Sequence, residues 1–334
     1  MNAPHSSNPV FWRSPVFLTS VLLTVLAGCR PSGQSEPLQE SVLQDSLAHS
    51  TREARVQPTY GQEPAAGQPV VLITGSTDGL GREVAMQLAE LGHHVVVHGR
   101  NEERGREVVD AIHASGEGSA RLYLADLASL EEVRQLGRAI LADYPELDLL
   151  INNAGVGPGA PGHERVITGD GLELRFQVNY LSHYLLTRLL LPRLVESAPA
   201  RIVNVSSRGQ AEVVFDDLNL DSGYSGGLAY RRSKLAQIIF TFDLNEELEG
   251  TGVTVFAVHP APVMATALVA EVGVEPQTTV EDGARGVMLA ATTPGLEGGQ
   301  YFHETEAARA HEQAYDEAAR TRLREISESL TGLH

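Results

Sequence analysis

The 334-residue sequence is poor in cysteine and lysine, with one residue of each kind, Cys29 and Lys234. A single cysteine excludes both an internal disulfide and a metal site built from several cysteines, so neither device stabilises the fold. The 12 histidines never fall in the His-Glu-x-x-His spacing that places two imidazoles on one helix face, and we expect no metal site. Other features must therefore explain the single cysteine and the single lysine.

Basic residues are outnumbered by acidic ones, 25 to 43, which gives a formal net charge of −18. A chain with this negative charge does not attract nucleic acid, and an anionic membrane surface would repel it. Any association with a membrane must therefore be covalent or hydrophobic. The hydrophobic fraction of 42% is ordinary for a globular protein, which excludes disorder throughout the chain.

An uncharged stretch near the N-terminus, Val16–Gly28, is shorter than the roughly 20 residues that a membrane-spanning helix needs. It has the length of the apolar region of a signal peptide. The stretch ends in Leu-Ala-Gly followed by Cys29, which resembles the lipobox of bacterial lipoproteins. The resemblance implies cleavage before Cys29 and lipidation of its sulfur, with residues 1–29 as the signal segment. The alternative is a buried apolar segment that contains a cysteine by chance.

The next segment, residues 30–68, is rich in Pro, Ser, Gln, Glu and Gly, and Tyr60 is its only aromatic residue. So little apolar surface cannot offset the entropy lost when a chain is ordered. We therefore expect a flexible linker between the signal segment and a folded domain.

From residue 69 to residue 334, apolar β-branched runs alternate with amphipathic stretches, which is typical of βαβ units and a parallel sheet. The runs are continuous, as in strands that are covered on both faces. We therefore predict an α/β fold, a single doubly wound domain of the Rossmann type. The expected strands are Val70–Thr74, His94–His98, Arg121–Leu124, Asp148–Ile151, Arg201–Val205, Val253–Val258 and Gln300–Phe302, and the longest expected helices are Leu172–Glu196 and Leu228–Glu249.

The first predicted strand runs into a glycine-rich turn that contains Gly75, Gly79 and Gly81. Such glycines permit a tight turn and a close approach of the backbone to a pyrophosphate at the N-terminus of the next helix. The second strand ends in Gly99, where a protein that prefers NAD would carry a carboxylate, and Arg100 follows it. Because a guanidinium binds a 2′-phosphate in bidentate fashion, we predict NADP as the cofactor, with NAD less favoured.

The single lysine, Lys234, lies four residues after Tyr230 in a predicted helix, so both side chains point to the same side. A phenol has a pKa near 10, and a nearby ammonium favours its ionised form. A tyrosine and a lysine at this spacing are common by chance. However, a chain that uses arginine at all its other basic positions retains lysine here, which favours a functional pair.

Residues 69–334 are similar to the short-chain dehydrogenase/reductase family, and the segments Arg201–Ser207 and Phe215–Asn219 resemble its retinol-dehydrogenase-like branch. The resemblance implies that Tyr230 is the general acid/base and that Ser207 hydrogen-bonds the substrate oxygen. Lys234 would lower the tyrosine pKa and hold the nicotinamide ribose, while Asn179 would position a water in a proton relay. The cofactor residues that it implies are Thr74, Gly75, Gly79, Gly81, Arg100, Asp126, Asn152, Gly155, Lys234 and Val263.

One departure from the family pattern concerns the segment after the sixth strand, which usually reads Pro-Gly-x-Val-x-Thr or Ser. Ala265 occupies the position of the hydroxyl residue that contacts the nicotinamide carboxamide in the family, and Thr266 comes one residue late. Val263 is retained. The sequence therefore predicts that the usual hydroxyl contact to the nicotinamide carboxamide is altered here.

These observations predict an enzyme that transfers a hydride between NADP(H) and a carbonyl or alcohol carbon of a small, apolar substrate. The alternatives are a catalytically silent dinucleotide-binding module and a nucleotide-sugar epimerase, whose glycine spacing differs. We expect no nucleic-acid partner, and the sequence leaves open whether the chain forms homo-oligomers. The lipobox favours a lipid-anchored protein of the bacterial envelope, although NADP(H) is held in the cytoplasm, which is the alternative location.

Overall fold

Continuous apolar runs form the centre of a nine-stranded sheet in the computed structural model, which describes residues 56–160 and 162–333. Cys29, the predicted signal segment 1–29 and residues 30–55 of the predicted linker lie outside the described residues. No helix in the described ranges is both long enough and apolar enough to cross a membrane.

The strands of the sheet, in chain order, are β1 (Pro58–Gly61), β2 (Val70–Ile73), β3 (His94–Gly99), β4 (Ser119–Leu124), β5 (Leu149–Asn152), β6 (Ala200–Val205), β7 (Val253–His259), β8 (Gln300–His303) and β9 (Glu306–Ala307). Their order across the sheet is β1-β4-β3-β2-β5-β6-β7-β8-β9. All neighbouring pairs from β4 to β8 are parallel, whereas the two edge strands β1 and β9 pair antiparallel. This order is that of a doubly wound sheet and confirms the predicted Rossmann-type fold.

Helices cover both faces of the sheet, which explains why the strands are apolar without alternation. Successive side chains of a strand point to opposite faces, and Leu72 packs into one hydrophobic core while Val71 and Ile73 pack into the other. The helices are α1 (Gly79–Glu90), α2 (Glu102–Ser115), α3 (Leu130–Asp143), a π-helical turn (Phe176–Leu181) that continues into α4 (Ser182–Glu196), α5 (Gly226–Glu247), α6 (Ala267–Ala270), α7 (Val280–Thr292), a 3₁₀ turn (Glu312–Tyr315) and α8 (Glu317–Thr331).

The strand β1 lies within the segment that the sequence predicts as a linker. Its side chains are mostly exposed, so no apolar pattern marks it in the sequence. Backbone pairing with β4 holds it at the edge of the sheet, and the Tyr60 hydroxyl donates a hydrogen bond to Asp110 at 2.7 Å. The folded part of the chain therefore extends at least 11 residues before the predicted boundary at residue 69, since β1 begins at Pro58.

The two halves of the parallel sheet meet where β2 lies beside β5, with connections that leave in opposite directions. In doubly wound sheets, ligands bind in the crevice outside the carboxyl ends of the strands at this switch point. The turn after β2 and the segment after β5 both open there, which places the glycine-rich turn beside residues 153–157.

Candidate active site

The glycine-rich turn joins β2 to α1 and has a backbone that only glycine adopts readily. Gly75 and Gly79 have positive φ angles of 65° and 52°. A Cβ at Gly81 would lie 2.3 Å from the carbonyl oxygen of Gly75, so any larger residue would push the turn apart. Asp78 caps α1 by accepting a hydrogen bond from the Gly79 N–H at 2.7 Å. The turn thus leads into the N-terminus of α1, and a helix N-terminus is where a pyrophosphate binds.

Behind the turn, the segment after β5 holds it in place. The Asn153 amide donates to the carbonyl oxygens of Thr74 and Gly75 at 2.9 and 3.0 Å. In return, the Thr74 hydroxyl accepts from the N–H groups of Asn153 and Ala154. These contacts fix the distance between the turn and the strand beside it.

Two of the predicted cofactor residues do not reach the cavity that the turn borders. Thr74 is fully buried in the network just described, and Asn152 is fully buried with its amide donating to Thr187 and Asn204. Asn153 and Ala154 line the cavity instead. Asn152 ends β5, so the alternation of a strand turns its side chain toward the helices, and the next residue faces the ligand side.

The cavity lies at the carboxyl ends of the parallel strands and has a volume of about 710 Å³. This is the size of a site for a small molecule or cofactor. It brings together ten of the residues that the sequence singles out: Gly75, Gly79, Gly81, Arg100, Asp126, Gly155, Ser207, Tyr230, Lys234 and Val263.

At one end of the cavity, Arg100 and Asp126 lie side by side with 3.4 Å between Nη1 and Oδ2. The Arg100 side chain is 71% exposed and so remains free to meet a ligand. A Cβ at Gly99 would lie 2.5 Å from Cγ2 of Thr77, which leaves no room for a carboxylate side chain at that position. This end therefore fits a 2′-phosphate better than a bare ribose hydroxyl.

His98 supports the same end of the cavity and was not recognised in the sequence. Its Nδ1 accepts a hydrogen bond from the Gly75 N–H at 3.2 Å, and its Nε2 lies 3.2 Å from the carbonyl oxygen of Ala125. Burial lowers the pKa of His98 to about 4, so the ring is neutral at physiological pH. A neutral ring with Nε2 as the donor satisfies both contacts.

At the other end, Tyr230 and Lys234 project from α5 into the cavity beside Ser207, which follows β6. The Lys234 ammonium lies 5.8 Å from the centre of the Tyr230 ring. Burial raises the pKa of Tyr230, and the interaction with the Ser207 hydroxyl lowers it by less. Burial also lowers the pKa of Lys234 to about 7.

The pKa of Tyr230 differs from the value that the sequence predicts. The sequence predicts that Lys234 lowers the pKa of Tyr230, yet the pKa is raised in the structure because an ionised phenol loses its solvation on burial. The phenol is consequently protonated at neutral pH. It can donate its proton to an oxygen atom in the cavity.

Asn179 lies in the π-helical turn before α4, fully buried behind the cavity wall. Its Oδ1 accepts from the Val156 N–H at 2.7 Å, and its amide donates to the Val156 carbonyl oxygen and to Ser233. A Cβ at Gly155 would lie 3.4 Å from this Oδ1 and 3.8 Å from the Lys234 Nζ. Asn179 and Lys234 thus face each other across Gly155, and π-turns are frequent at functional sites.

The segment after β7 supplies the remaining wall. Thr266, the hydroxyl residue that the sequence places one residue late, lines the cavity. Val263 has a φ angle of 44°, which is unusual for a β-branched residue and marks a backbone held in place by its surroundings. The apolar part of the wall includes Val156, Leu174, Val178, Leu268 and Val269.

A buried ion pair that the sequence did not reveal ties together the loops around this apolar part. Arg175 and Glu173 are both buried, with 3.2 Å between Nη1 and Oε1. The Arg175 guanidinium also donates to the carbonyl oxygens of Gly157 and Pro158 and to the Tyr224 hydroxyl. It thereby links the loop after β5 to the loop before α5.

Comparison with known proteins agrees with this geometry. A family model for short chain dehydrogenase matches residues 69–276. Retinol dehydrogenase 14 of Homo sapiens is 38% identical over 293 residues, which cover 79% of this chain and 86% of that protein.

Solved structures share the fold as well. An uncharacterized protein from Mycobacterium paratuberculosis has 30% identity and a TM-score of 0.67, covering 82% of this chain and 98% of its own. A short chain dehydrogenase from Escherichia coli CFT073, solved with NADPH, has 29% identity and a TM-score of 0.58, covering 71% of this chain and 97% of its own. The chain therefore belongs to the short-chain dehydrogenase family and is an NAD(P)-dependent oxidoreductase.

Proposed function

We propose that the protein interconverts a carbonyl compound and its alcohol with NADP(H), and that Tyr230 is the proton donor and acceptor. The observation that carries this proposal is the meeting of Ser207, Tyr230 and Lys234 in the cavity that the glycine-rich turn also borders. The alternative of a silent binding module is not favoured, because such a module would need none of these side chains.

In the direction of reduction, the Ser207 hydroxyl donates a hydrogen bond to the carbonyl oxygen and holds it within reach of Tyr230. The phenol then donates its proton to that oxygen as negative charge develops there, which is general acid catalysis. The raised pKa of Tyr230 keeps the proton available at neutral pH. Lys234 stabilises the phenolate that remains, and Asn179 would position the water through which a proton returns.

The cofactor is NADP(H), which supplies or accepts the hydride when it is bound. The glycine-rich turn would hold the pyrophosphate, Arg100 would bind the 2′-phosphate, and Asp126 would meet the adenine. Gly155 and Val263 would line the cofactor groove. Three observations support this cofactor. The guanidinium of Arg100 is exposed, and Thr77 leaves no room for a carboxylate side chain at position 99. Related structures were solved with NADP and NADPH.

The substrate is an apolar aldehyde or ketone, or the matching alcohol, with a chain long enough to cover the apolar wall. That wall includes the aliphatic side chains named above, and human retinol dehydrogenase 14 is named for a long apolar alcohol. Burying each methylene group of a substrate contributes about 0.8 kcal/mol. We therefore expect kcat/KM to rise with the length of the substrate chain.

This expectation is tested with the full chain, purified in mild detergent, by following NADPH oxidation with straight-chain aldehydes of increasing length and with a retinoid aldehyde. A rise in kcat/KM of about threefold to fourfold per methylene, the equivalent of 0.8 kcal/mol, supports the proposal. Turnover with none of these carbonyl compounds would contradict it.

We further propose that residues 1–29 direct export, that residues 30–55 belong to a linker, and that Cys29 carries a lipid anchor in a bacterial envelope. The support is the order of apolar run, lipobox and polar segment, together with the position of the single cysteine. Arg30 follows that cysteine where inner-membrane lipoproteins tend to carry aspartate, which favours the outer membrane.

The anchor predicts that the native protein takes up labelled fatty acid and sediments with membranes. Cys29→Ser is expected to abolish the labelling, because the serine oxygen does not replace the thiol in lipidation. Ser46→Ala, within the polar segment, serves as the control and should be labelled as the wild type is. A soluble native protein with an uncleaved N-terminus would contradict the anchor and leave the catalytic proposal intact.

A further inference from the structure

The ammonium group of Lys234 has two hydrogen-bond acceptors within the protein. Its Nζ donates to the carbonyl oxygen of Val205 at 2.8 Å and to Oε1 of Gln237 at 2.9 Å. Gln237 lies three residues further along α5, below the cavity, and is only 1% exposed. One N–H of the ammonium therefore remains to face the cavity, where Gly155 and Tyr230 lie.

Gln237 makes no other side-chain hydrogen bond among the described residues, and its Nε2 is buried without an acceptor there. A buried amide with an unpaired N–H group destabilises the fold, whereas leucine or methionine at this position would not. Its neighbours Leu235, Ile238 and Ile239 are buried apolar residues of the core. The packing of α5 alone thus gives no reason for a glutamine, and its one polar contact is with Lys234.

Few other charges act on Lys234. Tyr230 faces it from the same helix, and His183 faces it from α4, hydrogen-bonded to Thr74 and to the Asn179 carbonyl oxygen. Burial, helped by the charge of Lys234, lowers the pKa of His183 to about 3, so this ring stays neutral over the working range of pH. Burial is the one cause that lowers the pKa of Lys234, and no carboxylate raises it. The charged form of Lys234 is therefore stabilised by its hydrogen bonds and not by an ion pair.

We propose that Gln237 is a positioning residue, which accepts a hydrogen bond from the Lys234 ammonium and thereby keeps this group charged and fixed beside Tyr230. The inference rests on the role proposed above for Lys234 and adds to it a second residue of the same helix. Val205 contributes a main-chain oxygen, which no substitution removes. Gln237 is therefore the acceptor that mutation can test.

Substitutions at residue 237 should move the pKa of Lys234 in opposite directions. The pKa is about 7 with glutamine in place. In Gln237→Met, the charged form loses an acceptor, so we expect the pKa to fall by about one unit or more. In Gln237→Glu, a carboxylate faces the ammonium, so we expect the pKa to rise by about one to three units.

The single lysine allows a direct measurement. When the full chain is labelled with ¹³C-lysine and carries no lysine in any tag, the spectrum contains one Cε resonance, that of Lys234. Its shift, followed from pH 5 to pH 11, gives the pKa without any substrate. Thr241→Val is the matched control, because Thr241 is buried one turn further along α5 and, among the described residues, its hydroxyl bonds only to the Gln237 carbonyl oxygen and to Asn204.

Opposite shifts in the methionine and glutamate variants, with the control unchanged, support the inference. Equal pKa values in the wild type and both variants would overturn it. The turnover profile gives a second readout, since activity that needs the charged lysine falls as pH rises through the lysine pKa. That fall should move to lower pH in Gln237→Met and to higher pH in Gln237→Glu. Failure of the carbonyl assay in the wild type would refute the proposed function, whereas the lysine titration would still test Gln237.

Discussion

Replacing Tyr230 with phenylalanine is expected to lower kcat by about 10²–10⁴-fold and to leave NADP(H) binding nearly unchanged. The substitution removes the hydroxyl that donates the proton and retains the ring that lines the cavity. Ser207 cannot replace it as the proton donor, because a serine hydroxyl is a far weaker acid than a phenol. The loss should therefore appear in kcat and not in cofactor affinity.

The measurement combines steady-state kinetics with NADPH binding followed by fluorescence. Tyr60→Phe is the matched control, since Tyr60 lies on the edge strand β1 and its hydroxyl bonds to Asp110 away from the cavity. We expect the control to retain wild-type kcat. A Tyr230→Phe enzyme with full activity would show that another group moves the proton.

The sequence was sufficient for features that depend on local pattern. The run of apolar residues at Val70–Ile73 predicts a strand covered on both faces, and the structure confirms it. The spacing of Tyr230 and Lys234 predicts that both point to one side of a helix, which the cavity also confirms. Local rules succeed here because the helix period and the strand alternation fix these directions before any tertiary contact forms.

Features that depend on tertiary contacts escaped the sequence. Asn152 and Asn153 are identical side chains in adjacent positions, and only the place where β5 ends decides which one faces the ligand. The edge strand β1 has no apolar pattern, since its stability comes from backbone bonds to β4. Gln237 gave no signal, because a glutamine in a helix is ordinary until its partner is known.

The pKa of Tyr230 illustrates the same limit for electrostatics. From the sequence, a lysine four residues away predicts a lowered tyrosine pKa. In the folded chain, both groups are buried, and desolvation disfavours the charged form of each of them. The sign of the shift follows from burial, which is a property of the whole fold and not of the spacing.

Replacing Arg100 with aspartate is expected to reverse the cofactor preference from NADP toward NAD. A hydrogen bond to a charged group contributes about 1.5–3 kcal/mol, so loss of the guanidinium alone should weaken NADP binding by about 10–100-fold. The new carboxylate adds repulsion, because it would stand beside Asp126 and face the 2′-phosphate. NADH affinity should change little, since Gly99 and Thr77 leave no room for the carboxylate that hydrogen-bonds the ribose of NAD in Rossmann folds.

Dissociation constants for NADPH and NADH, measured for the wild type and three variants, separate these contributions. Arg100→Ala should lie between the wild type and Arg100→Asp, because it removes the attraction without adding repulsion. Arg106→Asp is the control, since Arg106 pairs with Glu102 on the exposed side of α2. The Arg100 side chain is 71% exposed, so dissolved ions screen its interaction, and the difference between NADPH and NADH should shrink as salt is raised. If the wild type bound NADPH and NADH equally well at low salt, neither Arg100 nor any other residue of this cavity would bind the 2′-phosphate.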